Sequence, residues 1–139
     1  MIIITYTMED IFNPISFAQI SISAFIAIVF LQSATDKILD WSGNHAWLKD
    51  HFSKTFVRGL VAPMLALLTI VELMAGIMGV IGIACIICCA DESCAFIAVV
   101  LSLLSYLMLI FGQRIAKDYD GAKTIAIYFG VSLMSLLFF

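Results

Sequence analysis

Four long apolar runs divide this 139-residue chain, and three of them hold no charge at all. Residues 15–34, 95–113 and 124–139 lack Asp, Glu, Lys and Arg, and residues 62–90 carry a single charge, Glu72. The other charges fall in four short pieces: Glu9–Asp10, residues 36–58, Asp91–Glu92, and residues 114–123. A bilayer core of ~30 Å needs about 20 apolar residues in a helix. The pattern therefore predicts four spans, at about 14–34, 62–84, 95–113 and 121–139. The fourth run is short, since sixteen residues at 1.5 Å each give about 24 Å, so that span is expected to start near Gly121. Open sheets are excluded, because backbone groups in lipid must be satisfied within their own segment.

Composition agrees. Apolar types make up 63% and charged types 12%, against roughly 45–50% and ~25% in soluble domains. A soluble enzyme, a nucleic-acid binder and a disordered chain are ruled out on that ground. The net charge of −3 points to no anionic polymer as partner. The expected fold is all-α: an integral membrane four-helix up-down bundle, with lipid and other membrane subunits or further copies of the chain as partners.

Direction follows from the cations. Lys37, Lys49, Lys54 and Arg58 lie after span one, and Arg114, Lys117 and Lys123 after span three. All seven fall at one end, which is expected to face the cytoplasm. Both termini then face away from it, in a bacterial inner membrane. Glu9–Asp10 ahead of span one is the opposite of the basic segment that opens a cleavable signal. Asn13 followed by Pro14 reads as an N-cap and first helical position, and Pro63 does the same for span two.

The loop after span one is expected to hold an amphipathic helix over Asn44–Phe56. Leu48, Phe52 and Phe56 recur every four residues beside Trp47, while Lys49, Asp50 and Lys54 take the other side, with Asp50 and Lys54 at i,i+4. Such a helix lies on a membrane interface, anchored by Trp41 and Trp47. His45 and His51, six apart, do not share a helix face, so no metal pair is expected.

Each span carries one polar stripe. Ser16, Gln19 and Ser23 mark the first; Thr69, Glu72, Gly76 and Gly79 the second; Ser102, Ser105, Tyr106 and Gln113 the third; Thr124, Tyr128, Ser132 and Ser135 the fourth. Spacings of three and four place each set on one helix face, the kind of face by which membrane helices pack and hydrogen-bond. Counted from the cationic ends, Glu72 lies ~13 Å past Pro63, near mid-membrane and level with Ser105 and Ser132. With those span ends, Lys37 and Arg114 fall short of it. A carboxyl in such a place is costly, and alone in an apolar site it favours its neutral form. Two readings stay open: a proton-carrying acid or partner for a polar head such as a quinone carbonyl, and a protonated acid that fixes helix register.

Cys85, Cys88, Cys89 and Cys94 cluster at the far end of span two. Cys85-Ile-Ile-Cys88 has redox-motif spacing, and a disulfide from Cys88 or Cys89 to Cys94 across the Asp91–Glu92 turn is geometrically allowed. Buried cysteine also serves as a small hydrophobe, the commoner role. Zinc would need four tetrahedral ligands from about ten residues, and no metal site is expected.

Three segments carry a family resemblance. Gly112-Gln113-Arg114-Ile115-Ala116-Lys117-Asp118-Tyr119-Asp120-Gly121-Ala122, followed by Tyr128-Phe129, resembles the third-to-fourth span junction of DoxX-like bacterial membrane proteins. Glu72-Leu73-x-x-Gly76-x-x-Gly79 resembles their second span. The segment Phe30–Lys37 resembles the end of their first span, with Ala34 where glycine is usual. The resemblance implies a four-span bundle with Lys37, Glu72, Gln113, Arg114, Lys117, Asp118 and Tyr119 as motif positions. It also implies a role as a small accessory or anchor subunit in a quinone-linked complex, or, as in the related MauE type, in thiol redox chemistry. A proton-coupled carrier or pore built on the polar stripes is the remaining reading. No covalent cofactor is expected, and quinone is the candidate ligand.

Overall fold

The computed structural model describes residues 13–139; the acidic Glu9–Asp10 flank lies outside the described residues. Four helices are long and apolar enough to cross a membrane. They are α1 (Pro14–Leu39), α3 (Val61–Cys89), α4 (Ser93–Ile115) and α5 (Tyr119–Ser135), the last prolonged by a 3-10 turn over Leu136–Phe138. A short helix, α2 (Trp41–His51), sits between α1 and α3. No strand occurs among the described residues.

The long helices run past their apolar blocks. Asn13 caps α1 by accepting from the Ile15 N–H at 2.9 Å, with Pro14 at the first helical position. Nothing after Ala34 breaks the helix, so α1 continues five residues beyond the block, to Leu39. Lys37 is thereby a helical residue rather than part of a loop. Asp40 then accepts from the Gly43 N–H at 3.1 Å and caps α2.

The loop departs from its sequence pattern. α2 spans Trp41–His51, not Asn44–Phe56, and the chain goes on through a series of turns. Thr55 Oγ1 donates to the Phe52 carbonyl at 2.8 Å, a local bond that competes with helix continuation. Lys54 therefore leaves the helix, and no Asp50–Lys54 ion pair forms among the described residues. Phe56 is 82% exposed. Phe52 and Val57 instead bury against Val61, with Leu48, Met64 and Ile115 packed around them.

α1 packs along α3, α3 along α4, and α4 along α5; α1 also reaches α4, while α5 touches α1 only slightly. The main core collects Ile22, Ile26 and Phe30 of α1, Ala75 of α3, and Ala98, Val99 and Tyr106 of α4. Two close approaches set the spacing. A methyl on Gly79 would meet the Ser23 carbonyl oxygen at 2.8 Å, and one on Gly82 would meet the Ala95 Cα and N at 2.7 Å. Backbones this near need small residues.

The two tight turns differ in chemistry. After α3, Ala90 takes a left-handed φ of 53°. Asp91 then accepts from the Ser93 N–H at 2.9 Å, and hydrogen bonds from the Ser93 side chain and backbone hold its carboxyl below the usual range. After α4, Lys117 takes the left-handed position at φ 59°. The Lys117 N–H donates to Arg114 O at 3.2 Å and the Asp118 N–H to Gln113 O at 2.9 Å, the paired bonds of a Schellman stop.

The glycine contacts generate a contrast. Gly82→Ala must push two backbones apart and is expected to destabilise by about 1–3 kcal/mol. At Gly130 nothing lies within 4 Å of an added methyl, so Gly130→Ala should leave the melting temperature in detergent unchanged or higher. Equal melting of the two variants would show that the Gly82–Ala95 approach carries no weight.

Candidate functional site: a buried ion pair between the first two spans

Glu72 is 1% exposed. It sits on α3 eleven residues past Val61, on the same face as Thr69, Gly76 and Gly79, all buried. Lys37 Nζ lies 2.9 Å from Glu72 Oε2, with its own side chain 16% exposed. Ser33, one turn before Lys37, donates its hydroxyl to both carboxylate oxygens at 3.3 and 3.2 Å. Lys37 also donates to Ser33 Oγ at 2.5 Å. The acid is thus held by an ammonium and a hydroxyl from one face of α1.

This corrects the expectation that Lys37 falls short of Glu72. The last uncharged residue puts the span end at Ala34, whereas the helix continues to Leu39. Glu72 is therefore level with the last turns of α1. The first turns of α3 extend past the end of α1 and pack on Phe52 and Val57 instead. The signal in the sequence is the continuation of one face: Phe30, Ser33 and Lys37 at spacings of three and four extend the buried series Ser16, Gln19, Ser23, Ile26.

At the opposite end, Gln19 makes a second polar tie. Its amide donates to the Glu92 carboxylate and, at 2.7 Å, to the Phe138 carbonyl. One α1 residue so touches both the α3–α4 turn and the C-terminal 3-10 turn. The other stripe hydroxyls close on their own helices. Ser23 donates to Gln19 O, Thr69 to Leu65 O, Ser102 to Val99 O and Ser135 to Ser132 O, all at 2.6–2.7 Å. On α5 only the second half of the stripe is buried, at Ser132 and Ser135; Thr124 and Tyr128 are exposed.

Three hydroxyls remain. Ser105, Tyr106 and Ser132 are 0–1% exposed, and none has a hydrogen-bond partner. The Tyr106 hydroxyl neighbours Ser132. Its ring packs on Phe30, centroids 5.0 Å apart, and lies 6.1 Å from Tyr128.

The junction residues do structural work. Asp118 caps α5 by accepting from the Gly121 N–H at 3.0 Å. Arg114 lies over the Tyr119 ring, 4.8 Å from its centroid. Lys117 supplies the left-handed stop. Gln113 stands apart, with a buried side-chain oxygen that has no partner. None of these residues hydrogen-bonds to Glu72.

All four cysteines are free thiols; Cys88 and Cys89 are exposed, Cys85 and Cys94 half-buried. Cys94 is a near neighbour of Cys85. The helices that carry them come closest one turn away, at Gly82 and Ala95. Cys85 is thus one neighbour of Cys94 across the turn. No group of three or more metal-ligating side chains occurs among the described residues.

No protein-family model matches the chain, and no curated protein or solved structure does so either.

The ion pair makes a double-mutant prediction. Lys37→Met alone strands a buried carboxylate and is expected to cost about 3 kcal/mol. Adding Glu72→Met removes both charges, and the double variant should recover most of that loss. Thermal unfolding in mild detergent reads both. If Lys37→Met and the double variant melt together, the pair is not coupled.

Proposed function

We propose that this protein is a non-catalytic, four-span membrane subunit that assembles with a partner protein in a bacterial inner-membrane complex linked to quinone redox chemistry. In this reading the spans form an up-down bundle, the cationic end faces the cytoplasm, and α2 lies on that interface. The observation that carries the reading is α5. It buries only Ala122, Ser132 and Ser135, and its apolar window is 17% buried inside the protein, against 33–39% for the other three. Its outer side carries Ile127, Val131 and Met134, all exposed, and Gly130 with open space beside it. Small residues are what membrane helices use to meet one another. The ion pair supports the same reading, because a carboxylate held by Lys37 and Ser33 is engaged in holding two helices together. The junction from Gly112 to Ala122, which resembles that of DoxX-like proteins, supplies the link to redox complexes.

A tagged chain extracted in mild detergent should bring down one stoichiometric membrane protein. Gly130→Trp, which fills the open side of α5, should abolish that recovery without lowering the melting temperature. A monomer or homodimer that supports full quinone-linked activity by itself would overturn the proposal.

The nearness of Cys85 to Cys94, both free thiols, favours a second reading, a membrane thiol redox protein. Two thiols and one external disulfide exchange to a Cys85–Cys94 disulfide and two released thiols, the protein being oxidised and the external disulfide reduced. Incubation with oxidised glutathione, then cleavage after Glu92 by a glutamyl endopeptidase, should yield a cross-linked pair of the peptides that carry Cys85 and Cys94, lost in Cys85→Ser and retained in Cys88→Ser. Mixed disulfides confined to Cys88 and Cys89 would remove this reading.

A further inference from the structure

A cavity of about 430 Å³ opens at the cationic end, between α2 with its following turns, the start of α3 and the end of α4. That volume lies within the range of small-molecule sites, about 300–1,000 Å³. Its walls are almost wholly apolar, from residues such as Leu48, Phe52, Met64, Leu68 and Met108. No Asp, Glu, Lys or Arg lines it. Leu60, Leu67 and Phe111, each 54–55% exposed, form its outer edge. The mouth thus lies on surface suited to lipid.

Two of the residues lining the cavity carry polar atoms that the protein leaves unsatisfied. His51 Nε2 and Gln113 Oε1 are both buried and have no hydrogen-bond partner. The imidazole is fixed in place: it stacks on Trp47 with centroids 4.6 Å apart and meets Phe52 edge-on at 5.3 Å. Buried polar atoms without partners are uncommon and costly. Both atoms belong to residues that line one apolar cavity, which makes them the partners to test for a ligand's polar end.

We propose that this cavity binds a neutral, single-chain lipid whose head carries a hydroxyl. The apolar walls take the hydrocarbon, and the absence of lining charge disfavours an ionic head, which would be buried without a counter-charge. A hydroxyl both donates and accepts. It therefore satisfies the Gln113 amide in either orientation and the His51 imidazole in either tautomer, whereas a carboxylate only accepts and an ammonium only donates. The site is separate from the Lys37–Glu72 pair and does not depend on the subunit reading.

The test uses the full chain in nanodiscs of phosphatidylethanolamine and phosphatidylglycerol, with hexadecanol bearing a mid-chain diazirine as probe. Irradiation should label peptides from α2 and the first turns of α3, saturably, with unlabelled hexadecanol competing and the corresponding alkane not. His51→Phe keeps the ring stack and Gln113→Leu keeps the shape; each should weaken binding about fivefold, the weight of one neutral hydrogen bond. Leu68→Trp, which fills the cavity with both polar atoms intact, should abolish saturable labelling. Melting curves screen the variants for folding, and competition on the unaltered chain decides the question even if a variant fails to fold. Labelling that is unsaturable, or equal for alcohol and alkane, would reduce the cavity to ordinary bilayer contact. Stronger competition by palmitate than by hexadecanol would overturn the neutral head.

Discussion

The contact on which the arrangement rests is the Lys37–Glu72 pair. Removing two charges from water costs several kcal/mol per ion, and the attraction between them offsets this only with good geometry and extra hydrogen bonds. Here the ammonium sits 2.9 Å from the carboxylate and Ser33 adds its hydroxyl to both oxygens. Such a pair tolerates little sliding of α1 along α3, because a shift of one residue moves a side chain by about 1.5 Å along the axis and 100° around it. The pair thus fixes register more than it adds stability. The glycines act on the same interface from the other direction, since Gly76 and Gly79 bring the α3 backbone against Leu31, Ser23 and Ala27. Charge sets the register and small residues set the distance.

Polar residues elsewhere in the interior do less between helices than their stripes suggest. Ser23, Thr69, Ser102 and Ser135 return their hydroxyls to carbonyls of their own helices. A hydroxyl so satisfied can face a neighbouring helix at little cost but ties nothing to it. Cross-helix polar ties concentrate on α1, through Lys37 at one end and Gln19 at the other. Among the described residues, the C-terminal element's polar tie to α1 is the Gln19 bond to the Phe138 carbonyl; α5 otherwise packs on α4 and touches α1 slightly, with Tyr128 edge-on to Phe25. Its weak burial follows from this distribution.

The sequence was legible where one physical rule acted alone. Uncharged blocks gave four spans because nothing but length and apolarity decides whether a helix can cross lipid. The stripes on α1, α3 and most of α4 are buried, because helical period alone assigns a face. Reading failed where two rules competed. The end of α1 was placed at the last uncharged residue, but a helix ends at a cap, and Asp40 provides it. That five-residue error hid the partner of Glu72. In the following loop the every-four pattern of Leu48, Phe52 and Phe56 implied one helix, yet Phe52 and Val57 turn inward to cover the start of α3. Tertiary burial there outweighs local periodicity. The nearness of Cys85 to Cys94 is hidden for a similar reason: it sits one turn from the Gly82–Ala95 approach, which no spacing along one helix reveals.

The structure also moves the chemical interest of the interior. The sequence singles out Glu72 as the lone intramembrane charge, and a lone charge invites a catalytic reading. With Lys37 and Ser33 around it, the acid has its hydrogen-bonding capacity engaged by α1. What the core leaves unspent are neutral groups, the hydroxyls of Ser105, Tyr106 and Ser132. Tyr106 is the link between the two sets, with its ring against Phe30 of α1 and its hydroxyl beside Ser132 of α5. A displacement of α5 by a partner would therefore reach Ser132 and Tyr106 before the ion pair. Of the unsatisfied hydroxyls only Ser132 belongs to the loosely held helix, while the satisfied charges lie where α1 packs along α3.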